Sequence, residues 1–307
     1  MTPSTETRPL LKRGDTVGIV APGFAPSPAA LRSGIRALAR AGYTVRVGDH
    51  VNGLNGYFPA DDGRRAADLN LMIRDPDVKA IWFARGGYGC ARILPQVDWA
   101  ALRRSGKIFI GYSDITALAM AALRKPGSVW LYGPVVTEMG RERSHHKAGF
   151  GRLLAGKEDR LKFRNDQVLA PGKARGRLLG GNLTVLVHLL GTRWMPSLDG
   201  AILALEDVGE ETYRLDRALT HLMMSGSLDR IAGICLGRFD PPPTRRRFPP
   251  DRSLKAMLQD LLGDLTVPVV YNLPFGHIPA KRTLPLGCPA TLETVTRTLD
   301  LSPRPGE

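Results

Sequence analysis

A serine at a sharp strand-to-helix turn is the strongest chemical signal in this sequence. Gly111-Tyr112-Ser113-Asp114 follows the apolar run over 108–110 and precedes a helical stretch over 115–123. Such a turn lifts a serine Oγ out at the C-terminal edge of a sheet. The first N–H groups of the helix then lie close enough to stabilise an oxyanion. The pattern G-x-S-x-G would add a second glycine, and Ile115 stands there instead. Capping of the helix by Ser113 or Asp114 is the competing reading.

A serine nucleophile needs a base, and histidine is the usual one. Six histidines are available. His277 lies in Phe275-Gly276-His277-Ile278-Pro279, a loop after the strand expected over 267–271. That setting suits a presented catalytic side chain, and it equally suits a turn histidine with no role. His188 falls on an apolar helix and reads as core. His145 and His146 fall in a charged stretch and read as solvated. His221 lies within a helix, and His50 follows a strand.

The base needs a third group to orient it. Glu206, in Leu205-Glu206-Asp207, follows the strand expected over 201–205. Asp207, Glu210 and Glu211 compete for the role. Glu210 and Glu211 also suit the start of the next helix, where carboxylates complement the dipole. The cluster Gly86-Gly87-Tyr88-Gly89 ends a third strand. Glycines there let backbone N–H groups approach a ligand. An oxyanion or substrate-carboxylate loop fits better than a dinucleotide site, because G-x-G-x-x-G is absent. Metal-ligand spacings such as HExxH or CxxC are absent too, so no metal is expected.

The elements that must position these residues alternate. Apolar runs over 16–21, 43–47, 78–84 and 107–110 read as strands buried on both faces. Helical patterns over 28–41, 61–73, 90–94 and 115–123 separate them. This rhythm predicts an α/β fold with a parallel sheet covered by helices. The pattern breaks over 140–174, which reads as an interdomain connection with some helix inside it. A second unit starts near Gly176, and Gly180-Gly181-Asn182 leads into an apolar helix over 183–190. Strands follow at 201–205, 231–236 and 267–271, with helices at 213–224 and 253–262. A surface strand pair is expected over 290–301.

The chain has 307 residues, with 43% hydrophobic and 23% charged. That is ample for a core. The formal net charge is +14. Its basic residues are scattered among acidic ones, without the aromatic-interleaved stripe of a nucleic-acid binder. An anionic substrate fits better, and a generally basic proteome fits equally well. Three cysteines without paired spacing, Cys90, Cys235 and Cys288, argue for a reducing compartment. Residues 1–10 have no apolar signal-peptide region, and no apolar run is long enough to span a bilayer. The expected location is the cytoplasm.

Several segments in order carry a family resemblance. They are Gly14-Asp15-Thr16-Val17, Ala21-Pro22-Gly23, Ala84-Arg85-Gly86-Gly87-Tyr88-Gly89, Gly111-Tyr112-Ser113-Asp114, Leu205-Glu206-Asp207 with Tyr213-Arg214-Leu215-Asp216-Arg217, and Gly276-His277. The set resembles the LD-carboxypeptidases, or muramoyltetrapeptide carboxypeptidases (serine peptidase family S66), over nearly the whole chain. The resemblance implies an N-terminal sheet domain like that of class I glutamine amidotransferases over 1–140. A linker over 141–174 and a smaller β-rich α/β domain over 175–307 would follow. It implies Ser113 as nucleophile and Glu206 and His277 as its partners, meeting in an interdomain cleft. With such a serine, the Asp114 N–H and one from Gly86 or Gly87 would hold the oxyanion, and either the glycine-loop amides or an arginine such as Arg85 would meet the terminal carboxylate. No cofactor or metal is implied. A homodimer acting on a small peptide or muropeptide is.

A microcin-immunity peptidase that cleaves peptidyl-nucleotide amides would share the same triad. An inactive cell-wall-peptide binding protein is the third alternative. Cys90 departs from the family pattern, where a serine or similar small residue is expected. The basic loop over 240–252 is long, and its role is open.

Overall fold

The computed structural model describes residues 9–240 and 252–304; most of the basic loop over 240–252 lies outside them. The strands in chain order are β1 (Thr16–Val20), β2 (Thr44–Val47), β3 (Val78–Phe83), β4 (Ile108–Gly111), β5 (Val129–Tyr132), β6 (Asp159–Lys162) and β7 (Val168–Ala170). Then come β8 (Lys173–Asn182), β9 (Ile202–Val208), β10 (Gly233–Asp240), β11 (Val269–Val270), β12 (Leu284–Leu286), β13 (Pro289–Glu293) and β14 (Thr298–Leu301).

The first sheet has six strands in the order β12-β5-β4-β3-β1-β2. The strands β1 to β5 pair in parallel, and β12 adds an antiparallel edge beside β5. Their sequences are nearly continuous apolar runs because helices cover both faces. On one face Phe83, Phe109 and Trp130 stack across three neighbouring strands, with ring centroids 6.0 and 4.4 Å apart. Helix Pro28–Arg40 starts on a proline, which suits the first turn. Helix Asp62–Arg74 is capped by Asp61, whose Oδ1 accepts from the Arg64 N–H at 2.8 Å.

The second sheet has eight strands in the order β6-β14-β13-β8-β9-β10-β11-β7. Its centre, β8 to β11, is parallel, and the outer pairs are antiparallel. Helices Thr212–Met224 and Leu254–Leu262 bury Leu215, Leu219, Leu222, Met257, Leu258 and Leu262. One continuous apolar cluster runs from Phe83 and Ala117 to Leu178 and Leu203, so the two sheets share a core.

Four findings differ from the sequence expectation. The stretch over 141–174, expected as a connection with some helix inside it, does carry helix Lys147–Leu154, but it also contributes β6 and β7 to the second sheet. Its strands are short: β6 alternates buried and exposed residues and β7 has only three, so neither offers an apolar run long enough to mark a strand. The strand β5 was not anticipated. Gly180-Gly181-Asn182 leads into a helix as expected, Leu183–Val187, but it also ends the ten-residue strand β8, which was not anticipated. The pair β13 and β14 exists, but β8 and β6 flank it, and Leu292 and Leu299 are fully buried rather than superficial.

Gly180 and Gly181 have φ of +124° and +138°, a conformation glycine adopts without strain. A Cβ on Gly181 would lie 2.4 Å from Thr116 Oγ1 and 3.0 Å from Tyr132 Cε2. Helix Thr116–Ala122 can therefore press directly onto β8, and the Asn182 N–H donates to Thr116 Oγ1 at 2.9 Å. Gly181→Ala is expected to destabilise the fold by roughly 1–3 kcal/mol through overpacking and backbone strain. Urea unfolding reads this directly, and an unchanged midpoint would show that the contact gives way freely.

Candidate active site

The turn after β4 carries the strain that a nucleophile elbow would. Tyr112 is extended, with φ −147°, and Ser113 then takes φ +68°. A non-glycine residue rarely adopts that conformation. Three contacts hold it. The Ser113 N–H donates to Tyr132 Oη at 3.1 Å, and Thr116 Oγ1 donates to the Ser113 carbonyl at 2.6 Å. Asp114 is buried and its Oδ2 accepts from the Cys90 N–H at 2.8 Å. Burial pushes the Asp114 carboxyl up, against that hydrogen bond. Cys90 is thus a buried thiol beside a carboxylate, pushed well up by burial and by Asp114, and not a poised nucleophile.

Gly86 lies directly against the serine. A Cβ there would sit 2.8 Å from Ser113 Cβ and 3.1 Å from its Oγ. Glycine is what allows this loop to approach. Gly87, at φ +99°, turns the chain over Phe24. Arg85 is exposed; its Nη1 donates to the Ala25 carbonyl at 3.0 Å, and its guanidinium lies 5.6 Å from the Phe24 ring centroid.

Glu206 and His277 come from the second sheet and its following loop. Glu206 is fully buried on β9. Its Oε2 is 2.7 Å from His277 Nδ1, and its Oε1 accepts from Tyr132 Oη at 2.7 Å. With the carboxylate ionised, Nδ1 donates and Nε2 is left as the basic nitrogen. Gly276, at φ +106°, makes this contact possible, because a Cβ would lie 2.6 Å from Glu206 Oε2. The His277 ring is half-buried, 4.7 Å from the Tyr112 ring.

Ser113 Oγ and the His277 ring form no hydrogen bond in this structure. The link between elbow and pair is Tyr132, which accepts from the Ser113 N–H and donates to Glu206. Burial, then the neighbouring Glu206, pushes the Tyr132 hydroxyl well up, so it stays protonated and can bridge. This residue escaped the sequence reading because its strand did. The bridge also occupies the Ser113 N–H, which leaves oxyanion stabilisation to other donors. Tyr132→Phe is expected to lower kcat by roughly 10-fold and leave KM little changed, since one buried hydroxyl, through two hydrogen bonds, positions two groups. An unchanged kcat would remove Tyr132 from the site.

The other sequence candidates are engaged elsewhere. Asp207 accepts from Asn182 Nδ2 at 2.8 Å and from the Thr184 N–H and Oγ1 at 2.9 and 2.7 Å. It ties β8 to β9 rather than orienting a histidine. Glu210 and Glu211 lie 3.8 and 3.7 Å from Arg214. His50 pairs with Asp68 at 2.8 Å, His145 with Ser144 Oγ at 2.7 Å, and His146 caps the helix at Gly149. His188 and His221 line a separate cavity of about 360 Å³. Among the described residues, no group of three or more His, Cys, Asp or Glu side chains could hold a metal ion. Among the same residues, no helix is long and apolar enough to cross a membrane.

A second polar cluster borders His277 and was not anticipated. Lys281 is buried, with Nζ 2.9 and 3.0 Å from the Glu138 carboxylate and 4.3 Å from the Tyr112 ring centroid. Tyr112 Oη donates to Glu138 Oε1 at 2.8 Å. The cluster forms one wall of a cavity of about 500 Å³, which His277 also lines.

Residues 17–133 match the family model of the LD-carboxypeptidase N-terminal domain, and residues 175–292 that of its C-terminal domain. The murein tetrapeptide carboxypeptidase of Pseudomonas aeruginosa is 35% identical over 90% of this chain and 92% of its own. The crystal structure of muramoyltetrapeptide carboxypeptidase from Oxalobacter formigenes superposes with a TM-score of 0.83 at 33% identity, covering 95% of this chain and all (100%) of that one. The microcin C7 self-immunity protein of Escherichia coli is 26% identical over 94% of this chain and 93% of its own. With both halves matched and such relatives aligned almost end to end, the chain belongs to the LD-carboxypeptidase family, S66.

Proposed function

We propose that this protein is a serine carboxypeptidase that releases the terminal D-alanine from murein tetrapeptides, as a step in peptidoglycan recycling. The observation that carries the reading is the coupled Glu206–His277 pair beside a serine held at positive φ. His277 Nε2 takes the Ser113 proton, and Oγ attacks the carbonyl between an L-centre and the terminal D-alanine. Glu206 holds the imidazole tautomer and stabilises the imidazolium. The Asp114 N–H and an N–H of Gly86 or Gly87 receive the oxyanion. His277 then protonates the leaving amine, and water, activated by the same imidazole, resolves the acyl-enzyme.

The relatives named above as murein tetrapeptide and muramoyltetrapeptide carboxypeptidases support the substrate class. The microcin C7 self-immunity relative keeps a second reading open, cleavage of a peptidyl-nucleotide amide. The proposal favours the murein peptide because the relatives named for it are 35 and 33% identical to this chain, against 26% for the microcin C7 self-immunity protein. Comparing kcat/KM on L-Ala-D-Glu-diaminopimelate-D-Ala and on a peptidyl-adenylate analogue separates the two. A higher value for the peptide is expected, and the reverse order would overturn the reading. Action as a cytoplasmic homodimer belongs to the same proposal, and cell fractionation with light scattering tests it.

A further inference from the structure

We propose that Arg141 and Arg143 bind the terminal carboxylate of the substrate, on the leaving-group side of His277. This rests on the carboxypeptidase reading above. Both arginines line the cavity of about 500 Å³ that His277, Tyr112 and Lys281 border. The charge there is unbalanced. Lys281 already faces Glu138, at 2.9 and 3.0 Å. Arg141 and Arg143 are exposed, and among the described residues neither forms an ion pair. Two guanidinium groups are therefore left on one wall with no protein carboxylate to meet them.

Their position is built into the fold. The Ala280 N–H donates to the Arg143 carbonyl at 2.6 Å, and the His146 N–H donates to the Lys281 carbonyl at 2.9 Å. These two backbone bonds fasten the arginine segment to the loop that carries His277. Arg141 is fixed at its other end, where its N–H donates to the Glu138 carbonyl at 2.8 Å.

The chemistry of acyl transfer decides which part of the substrate reaches this wall. His277 protonates the leaving amine, so the leaving residue lies against the imidazole. In a carboxypeptidase that residue carries the chain-end carboxylate on the carbon bonded to the amine nitrogen. The carboxylate is therefore delivered next to His277, where the unpaired arginines stand. The guanidinium fork matches a carboxylate bidentately, which a lysine does not. Arg85 is less suited, because its fork is engaged with the Ala25 carbonyl and packed over Phe24.

The test is steady-state kinetics of the full-length enzyme on the tetrapeptide and on its C-terminal carboxamide. Arg141→Gln and Arg143→Gln are each expected to raise KM for the free acid roughly 10–100-fold, the range for loss of a charge-assisted hydrogen bond, with kcat nearly kept. The carboxamide is a poor substrate for the wild type and is turned over equally by the variants. Arg→Lys at either position keeps the charge, loses the fork and gives an intermediate KM. Because both side chains are exposed, melting temperatures stay at the wild-type value. An unchanged KM in the double Gln variant overturns the proposal, as do equal losses on acid and carboxamide. A wild type that releases no D-alanine from the tetrapeptide overturns the carboxypeptidase reading itself, and this site with it.

Discussion

His277→Ala is expected to lower kcat for D-alanine release by roughly a million-fold, the loss found when a serine triad is deprived of its base. In the proposed mechanism the imidazole has two duties, taking the Ser113 proton and returning one to the leaving amine. No neighbouring group can take them over. Lys281 is tied to Glu138, and Tyr112 donates to the same carboxylate. Ser113→Ala should cost about as much, and the double variant should cost no more than either alone, because the two residues act as one unit. Steady-state rates of the three variants check this. Multiplicative losses would mean that the serine and the histidine work independently, which a shared proton transfer does not allow. The fold should tolerate His277→Ala, since the ring is only half-buried.

Glu206→Gln should cut kcat by about 10,000-fold with KM little changed, the cost of holding the histidine in the wrong tautomer. The surroundings dictate that tautomer. Tyr132 Oη donates to Oε1, so a glutamine would turn its carbonyl oxygen there and its amide nitrogen toward His277 Nδ1. Nδ1 must then accept, which puts the proton on Nε2, where the base is needed. Glu206→Asp keeps the charge but shortens the reach, and it should fall between Gln and wild type. A Glu206→Gln enzyme within 10-fold of wild type would show that the carboxylate does not govern the imidazole. Circular dichroism and thermal unfolding accompany this measurement, because Glu206 is fully buried.

The parts of the fold that the sequence announced are those with a strong local signature. β1, β3 and β4 are apolar runs that end on glycine or reach one within three residues, and helices Asp62–Arg74 and Trp99–Arg104 between them are capped by Asp61 and Asp98. Ser113 stood out because strand, turn and helix follow one another within a few residues. Glu206 and His277 stood out less, as a strand-end carboxylate and a glycine-flanked loop histidine. Only the ordered set of motifs ranked them above their competitors. What stayed hidden depends on contacts between distant residues. Tyr132 lies 74 positions before Glu206, on a four-residue strand whose VWLY run is too short to separate from a helix segment. Glu138 and Lys281 are 143 positions apart, and no local pattern pairs them. The strand β8 that ends at Gly180-Gly181-Asn182 stayed hidden because glycine is uncommon inside strands, while the helix after it was legible. β12 escaped notice because it joins the first sheet from the far end of the chain.

Tyr132 also accounts for how residues from two sheets meet at the proposed site. The elbow belongs to β4 and the pair to β9 and its neighbouring loop. A single hydroxyl from β5 contacts both. The glycines at the junction, Gly86, Gly181 and Gly276, each remove a Cβ that would otherwise hold these parts apart.

The most direct test of the central claim is D-alanine release from purified L-Ala-D-Glu-diaminopimelate-D-Ala by the wild type and by Ser113→Ala. The wild type should free D-alanine and tripeptide in equal amounts, and the variant should free neither above background. A wild type that leaves the tetrapeptide intact, or a Ser113→Ala variant that matches the wild type, would contradict a serine LD-carboxypeptidase.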